Sequence, residues 1–209
     1  STPSRSPRRC TPAVASPAAD SAMARSNDRA PRHADLLKPV RILDEADIPG
    51  LLAQHKDPVI LVLDGVQDPH NLGACLRTAE CAGCAFVITT RKNSSPVNDT
   101  VRKVAVGAAE SLPIVQANNL RNALVKLKDG GVWIAGTSDH KTSQSLFTAK
   151  LTGPLAIVMG AEGDGIRHLT AETCDFLVRI PMLGAVPCLN VSVSAGVCLF
   201  EAVRQRGHR

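Results

Sequence analysis

Three short stretches of this chain set isolated polar side chains among small residues. The first is Asp68-Pro69-His70-Asn71-Leu72-Gly73-Ala74-Cys75-Leu76-Arg77. The second is Met159-Gly160-Ala161-Glu162-Gly163-Asp164-Gly165. The third starts at Ile180-Pro181-Met182 and runs through Pro187-Cys188-Leu189-Asn190 to Ser194. Asn71, Arg77, Glu162 and Asn190 are the side chains that could hold or orient a reacting group. An amide both donates and accepts, and arginine presents a rigid fork suited to phosphate. The glycines of the second stretch let backbone approach a ligand closely.

Each stretch also has a plainer reading. The acidic turn is neither G-x-x-x-x-G-K-[ST] nor G-x-G-x-x-G, and its two carboxylates would repel a pyrophosphate. It suits a neutral or cationic ligand, or it is an ordinary solvated turn. Arg77 could pair with Glu80 one turn along a helix. Asn190 stands where a helix N-cap would, with Ser192 and Ser194 as local backbone partners, and capping does not exclude binding. Cys81-Ala82-Gly83-Cys84 lacks the second pair that a structural zinc site needs, and the six histidines show no ligand spacing, so no metal is expected.

The elements that must position these residues alternate along the chain. Strands are predicted at 59–63, 85–88, 112–115, 132–135, 155–159 and 176–180, from short apolar runs. Helices are predicted over 71–82, 99–108, 120–128, 167–173 and 190–206, from apolar residues at helical spacing. Uninterrupted apolar strands alternating with helices argue for a parallel sheet covered on both faces. Residues 1–35 are rich in Pro, Ala, Ser and Arg without apolar period and are expected to be disordered. Residues 36–57 read as a link and a short helix, and 58–209 as one α/β domain.

The formal net charge is +5 over 209 residues. Arg5, Arg8, Arg9, Arg25, Arg29 and Arg32 stand against Asp20, Asp28 and Asp35, and Arg204, Arg206 and Arg209 close the chain. A basic excess fits a nucleic-acid partner, since neutralising phosphate drives such binding. Four Phe, one Trp and no Tyr argue against an aromatic stacking platform. Scattered cysteines, no secretory signal and no apolar run long enough to span a bilayer point to a reduced, cytoplasmic protein.

With the three stretches in this order, residues from about 40 to 206 resemble the catalytic domain of bacterial large-subunit rRNA guanosine 2′-O-methyltransferases of the SpoU/TrmH class. Asp64-Gly65-Val66-Gln67-Asp68-Pro69-His70-Asn71-Leu72-Gly73 is similar to the first motif of that family, and Lys103 to Glu110 to a further segment. The resemblance implies a mostly parallel α/β sheet flanked by helices, whose C-terminal strand and helix thread a trefoil knot. It implies a homodimer with the active site at the subunit interface, and S-adenosylmethionine as cofactor. Gly160, Ile180 and Leu189 would contact it through backbone, with Met159, Gly136 and Thr137 nearby. The implied reaction moves a methyl group to a ribose 2′-oxygen of 23S rRNA without a metal. Arg77 would stand at that centre as a phosphate clamp, with Asn71, Glu162 and Asn190 orienting the ribose. Two departures stand out: Cys188 occupies a position that is often Ser, and residues 1–35 do not resemble the family's small RNA-binding domain. The alternatives are a tRNA ribose 2′-O-methyltransferase of the same class and a non-catalytic RNA-binding protein that keeps the fold. A dinucleotide enzyme is disfavoured by the missing fingerprint.

Overall fold

In the computed structural model, which describes residues 39–140, 142–161 and 165–207, the apolar runs become strands of one sheet. The chain order is β1 (Ile42–Leu43), a 3-10 turn (Glu45–Asp47), α1 (Ile48–Leu52), β2 (Val59–Asp64), α2 (Pro69–Cys81) and β3 (Phe86–Thr90). There follow α3 (Asp99–Ala105), α4 (Ala108–Ser111), β4 (Ile114–Ala117), α5 (Leu120–Asp129), β5 (Trp133–Thr137) and β6 (Gln144–Ser145). Then come β7 (Leu155–Gly160), α6 (His168–Thr173), β8 (Phe176–Arg179) and α7 (Val191–Gln205). The segment 1–35 and Glu162, both singled out from the sequence, lie outside the described residues.

The strands lie in the order β1-β4-β3-β2-β7-β5-β8-β6, and every pairing is parallel. β2 and β7 hold the centre and are buried along their whole length. Side chains of a strand alternate between faces, and β2 shows it. Val59, Leu61 and Leu63 enter one apolar layer with Leu72, Leu76, Ala195 and Leu199. Ile60 and Val62 enter the other with Ile48, Leu124 and Leu127. Burying each such side chain contributes about 1.5–3 kcal/mol, so both faces need their helices.

Several boundaries differ from the sequence reading, for local reasons. α2 begins at Pro69, because Asp68 caps it by accepting from the amides of His70 (3.1 Å) and Asn71 (3.2 Å), and proline suits the first helical position. The stretch read as one helix over 99–108 is α3 and α4, parted where Val106 and Gly107 take positive φ of 53° and 93°. Residues 42–43, read as a link, supply β1, which pairs with β4. Strands as short as β1 and β6 carry no readable period. Gly73 lets α2 approach α3: a Cβ there would sit 2.7 Å from Val104 Cβ and 2.8 Å from the Val101 carbonyl oxygen.

Candidate active site

Open α/β sheets bind ligands at the carboxyl ends of their strands. Here a cavity of about 590 Å3 opens at the ends of β7, β5 and β8, closed on one side by the loop leading to α7. Met159, Gly160, Thr137, Ile180 and Leu189 line it, and Gly136 lies one residue behind Thr137 in β5. At Gly160 the returning chain crosses directly over the backbone. A Cβ there would lie 1.9 Å from the Gly165 carbonyl carbon and 2.2 Å from the Ile166 nitrogen. Gly165 N donates back to the Ala161 carbonyl at 3.1 Å and closes this turn. A Cβ at Gly136 would meet Cys174 Sγ at 2.7 Å and Ile166 Cδ1 at 2.8 Å.

Asn190 does two things at once. Its Oδ1 accepts from the amide (2.9 Å) and hydroxyl (2.6 Å) of Ser192, capping α7. Its Nδ2 donates to Asn71 Oδ1 at 3.0 Å, joining the start of α7 to the start of α2. The two asparagines, 119 residues apart in sequence, therefore meet at the cavity edge. Arg77 is not among the residues lining the cavity and makes no hydrogen bond to either asparagine. Six residues of α-helix place it about 9 Å along and about 120° around α2 from Asn71. It is exposed and, among the described residues, its side chain makes no hydrogen bond or ion pair, including with Glu80.

Further residues complete the picture, and of these Asp139 and Arg179 were passed over in the sequence. Asp139 and Arg179 line the cavity and bring charge to it. Thr137 Oγ1 donates to the Val158 carbonyl at 3.0 Å, which ties β5 to β7 just below the opening. Asp64, at the end of β2, is buried and binds Arg167 and Thr170. An acid closing an apolar strand was its signal, since carboxylates are almost never fully buried unless paired. Cys188 is exposed beside Leu189. Burial pushes the thiols of Cys84, Cys174 and Cys198 up to about 12, so they stay protonated and unreactive at neutral pH. Among the described residues no group of three or more His, Cys, Asp or Glu could hold a metal ion. Among them, too, no helix is long and apolar enough to cross a membrane.

Among the described residues the cavity is walled by apolar side chains and main chain, with one carboxylate, Asp139, and one guanidinium, Arg179. That suits a small, partly apolar ligand read by backbone groups more than a polyphosphate, which would need several cations. The SpoU rRNA Methylase family model matches residues 58–200. This chain belongs to that family. The 23S rRNA (guanosine-2'-O-)-methyltransferase RlmB of Vibrio cholerae is 58% identical over 170 residues, covering 81% of this chain and 68% of that protein. The RlmB of Escherichia coli K12 is 52% identical over 170 residues, covering 81% of this chain and 70% of that protein. Among solved structures, the SpoU methyltransferase AviRb from Streptomyces viridochromogenes, in complex with the cofactor AdoMet, superposes with a TM-score of 0.68 at 26% identity. That match covers 74% of this chain and 60% of AviRb, so this chain spans less than two thirds of that solved structure.

Proposed function

We propose that this chain transfers a methyl group from S-adenosylmethionine to the ribose 2′-hydroxyl of a guanosine in 23S rRNA. The observation that carries the reading is the meeting of Asn71 and Asn190 at the mouth of a cavity roofed by the Gly160–Ile166 crossing. When bound, S-adenosylmethionine supplies a methyl group on a positively charged sulfur.

The chain's own residues divide the work. Main-chain groups of Gly160, Ile180 and Leu189 would hold the adenosine, while Met159, Gly136 and Thr137 shape the wall. The Asp139 carboxylate favours the cationic end of the ligand. Asn71 and Asn190, with Glu162, orient the ribose so that its 2′-oxygen faces the cavity, and such positioning can supply several kcal/mol. Arg77 stays protonated and cannot act as a base. It clamps the adjacent phosphate, and its charge eases loss of the 2′-hydroxyl proton to that phosphate or to water.

Arg77 reaches the site from a second copy of the chain. Val193 and Phe200 lie seven residues apart on one face of α7, half exposed, opposite the face buried against α2 and the sheet. Thr78, next to Arg77, lies against α7 at Gly196. An apolar helix face beside the displaced arginine supports a homodimer with shared sites. A knotted path for β8 and α7 and a cytoplasmic place of work belong to the same reading.

The test is to incubate the protein with labelled S-adenosylmethionine and unmethylated 23S rRNA. Label in a guanosine 2′-O-methyl group supports the reading. Label only in tRNA replaces the substrate, and S-adenosylmethionine binding without turnover on any RNA leaves a non-catalytic binder.

A further inference from the structure

Asp64 does not itself line the cavity, yet it is tied to Gly160 and to Arg167, on either side of the Gly165–Ile166 crossing that covers it. By strand register it lies opposite Gly160, where the loop leaves β7. Through its side chain it holds Arg167, where the loop enters α6: Arg167 Nε donates to Oδ1 at 2.7 Å, with Nη2 on the same oxygen. The Arg167 amide donates to Oδ2 at 3.3 Å, and Thr170 Oγ1 donates to Oδ2 at 2.7 Å. Arg167 is itself the N-cap of α6 and offers that helix no side-chain cap. Asp64 reaches across from the sheet and does part of that job.

A carboxylate only 1% exposed at the end of a central strand is costly to keep there. An apolar residue would fill the same layer. What the charge adds is direction, because an arginine fork and a hydroxyl fix both oxygens at once. Between the two tied ends lie Ala161, Gly165 and Ile166, all lining the cavity. The fit over Gly160 leaves no slack: the Gly165–Ile166 peptide already fills the space a methyl group would need.

We infer that Asp64 is a positioning residue for the cofactor, acting through Arg167 and Thr170 to set the height of the Gly165–Ile166 crossing over the cavity. This rests on the reading of that cavity as the S-adenosylmethionine site.

The test uses the full chain, with S-adenosylmethionine affinity measured by equilibrium dialysis and amide hydrogen exchange followed along 160–167. Asp64→Asn keeps size and one acceptor but loses the charge. It is expected to weaken binding about tenfold and to speed exchange in that loop by a similar factor, as loss of charged hydrogen bonds predicts. Thr170→Val and Arg167→Lys, which disturb one partner each, should weaken binding less than Asp64→Asn, and they keep the test alive if Asp64→Asn does not fold. Leu127→Ala, in the layer on the other face of the sheet, is the control: it should lower the melting temperature and leave the affinity alone.

Affinity and loop exchange unchanged within twofold in Asp64→Asn and in both partner variants would overturn the inference while the proposed function stands. So would an equal loss of affinity in Leu127→Ala, which would reduce Asp64 to general stability. Wild-type protein that binds no S-adenosylmethionine overturns the proposed function and this inference together.

Discussion

Replacing Gly160 with alanine puts the cavity roof to a direct test. The added Cβ would lie 1.9 Å from the Gly165 carbonyl carbon, whereas ordinary contact begins at 3.4 Å, so the crossing chain must rise by about 1.5 Å. The obstacle is backbone, which has no rotamer to change. Overpacking of this kind costs roughly 1–3 kcal/mol. If the whole strain falls on the roof, S-adenosylmethionine affinity drops by roughly 5- to 150-fold, at about 1.4 kcal/mol per factor of ten. Methyl transfer should fall further, because a shift of about 1 Å near reacting groups can cost about 100-fold. Gly50→Ala serves as the comparison. A Cβ at Gly50 meets nothing within 4 Å and the site lies in α1, so the variant should melt at or slightly above the wild-type temperature. Equilibrium dialysis with labelled S-adenosylmethionine, thermal melts and transfer assays read all three quantities. A Gly160→Ala protein that binds within twofold of wild type and melts at the same temperature would refute the idea that the crossing forms the site.

Three more outcomes are expected. Arg77→Ala and Asn190→Ala should each abolish methyl transfer, but an equimolar mixture re-equilibrated through dissociation should regain about a quarter of wild-type activity, because one intact shared site forms in each mixed dimer; a mixture as dead as its components argues for sites built within one chain. Alkylation at pH 8 followed by peptide mass mapping should label the exposed Cys81 and Cys188 and spare Cys84, Cys174 and Cys198, whose thiols are held near 12. S-adenosylmethionine should protect Cys188 and leave Cys81 reactive, and equal labelling of the two with ligand present would remove Cys188 from the site. Hydrogen bonds from Arg204 and then Gln205 hold the Glu201 carboxyl down at about 2, from 4.5. Its folded pKa is lowered, so its contribution is whole above about pH 4.5 and is lost as pH falls toward 2. Glu201→Gln should therefore show a shallower fall in melting temperature between pH 5 and pH 2 than wild type, and parallel curves would exclude this linkage.

The sheet was legible because burial on two faces demands uninterrupted apolar runs, and Val59–Leu63 and Leu155–Met159 have no competing reading. β1 and β6 were illegible because two residues carry no period. They owe their existence to neighbours, β4 and β8, that are far away in sequence. At the site, Asn190 was legible as a cap, since capping is a local hydrogen bond with a local signature. Its second bond, to Asn71, depends on how α2 and α7 pack and leaves no mark at either position. Asp64 shows the converse. Its type was anomalous in place, but only the fold reveals that its partners are 103 and 106 residues on.

The displacement of Arg77 follows from helix geometry, with consequences for how the site is assembled. Asn71 is held to the cavity edge by Asn190, which is itself pinned as the cap of α7. Rotating α2 to bring Arg77 round would break that bond and withdraw Leu72, Leu76 and Ala79 from the core. On the helix the two positions stand about 9 Å and a third of a turn apart. The proposed reading brings Arg77 in from a second copy of the chain, and the exposed Val193 and Phe200 of α7 supply an apolar surface on which that copy can dock.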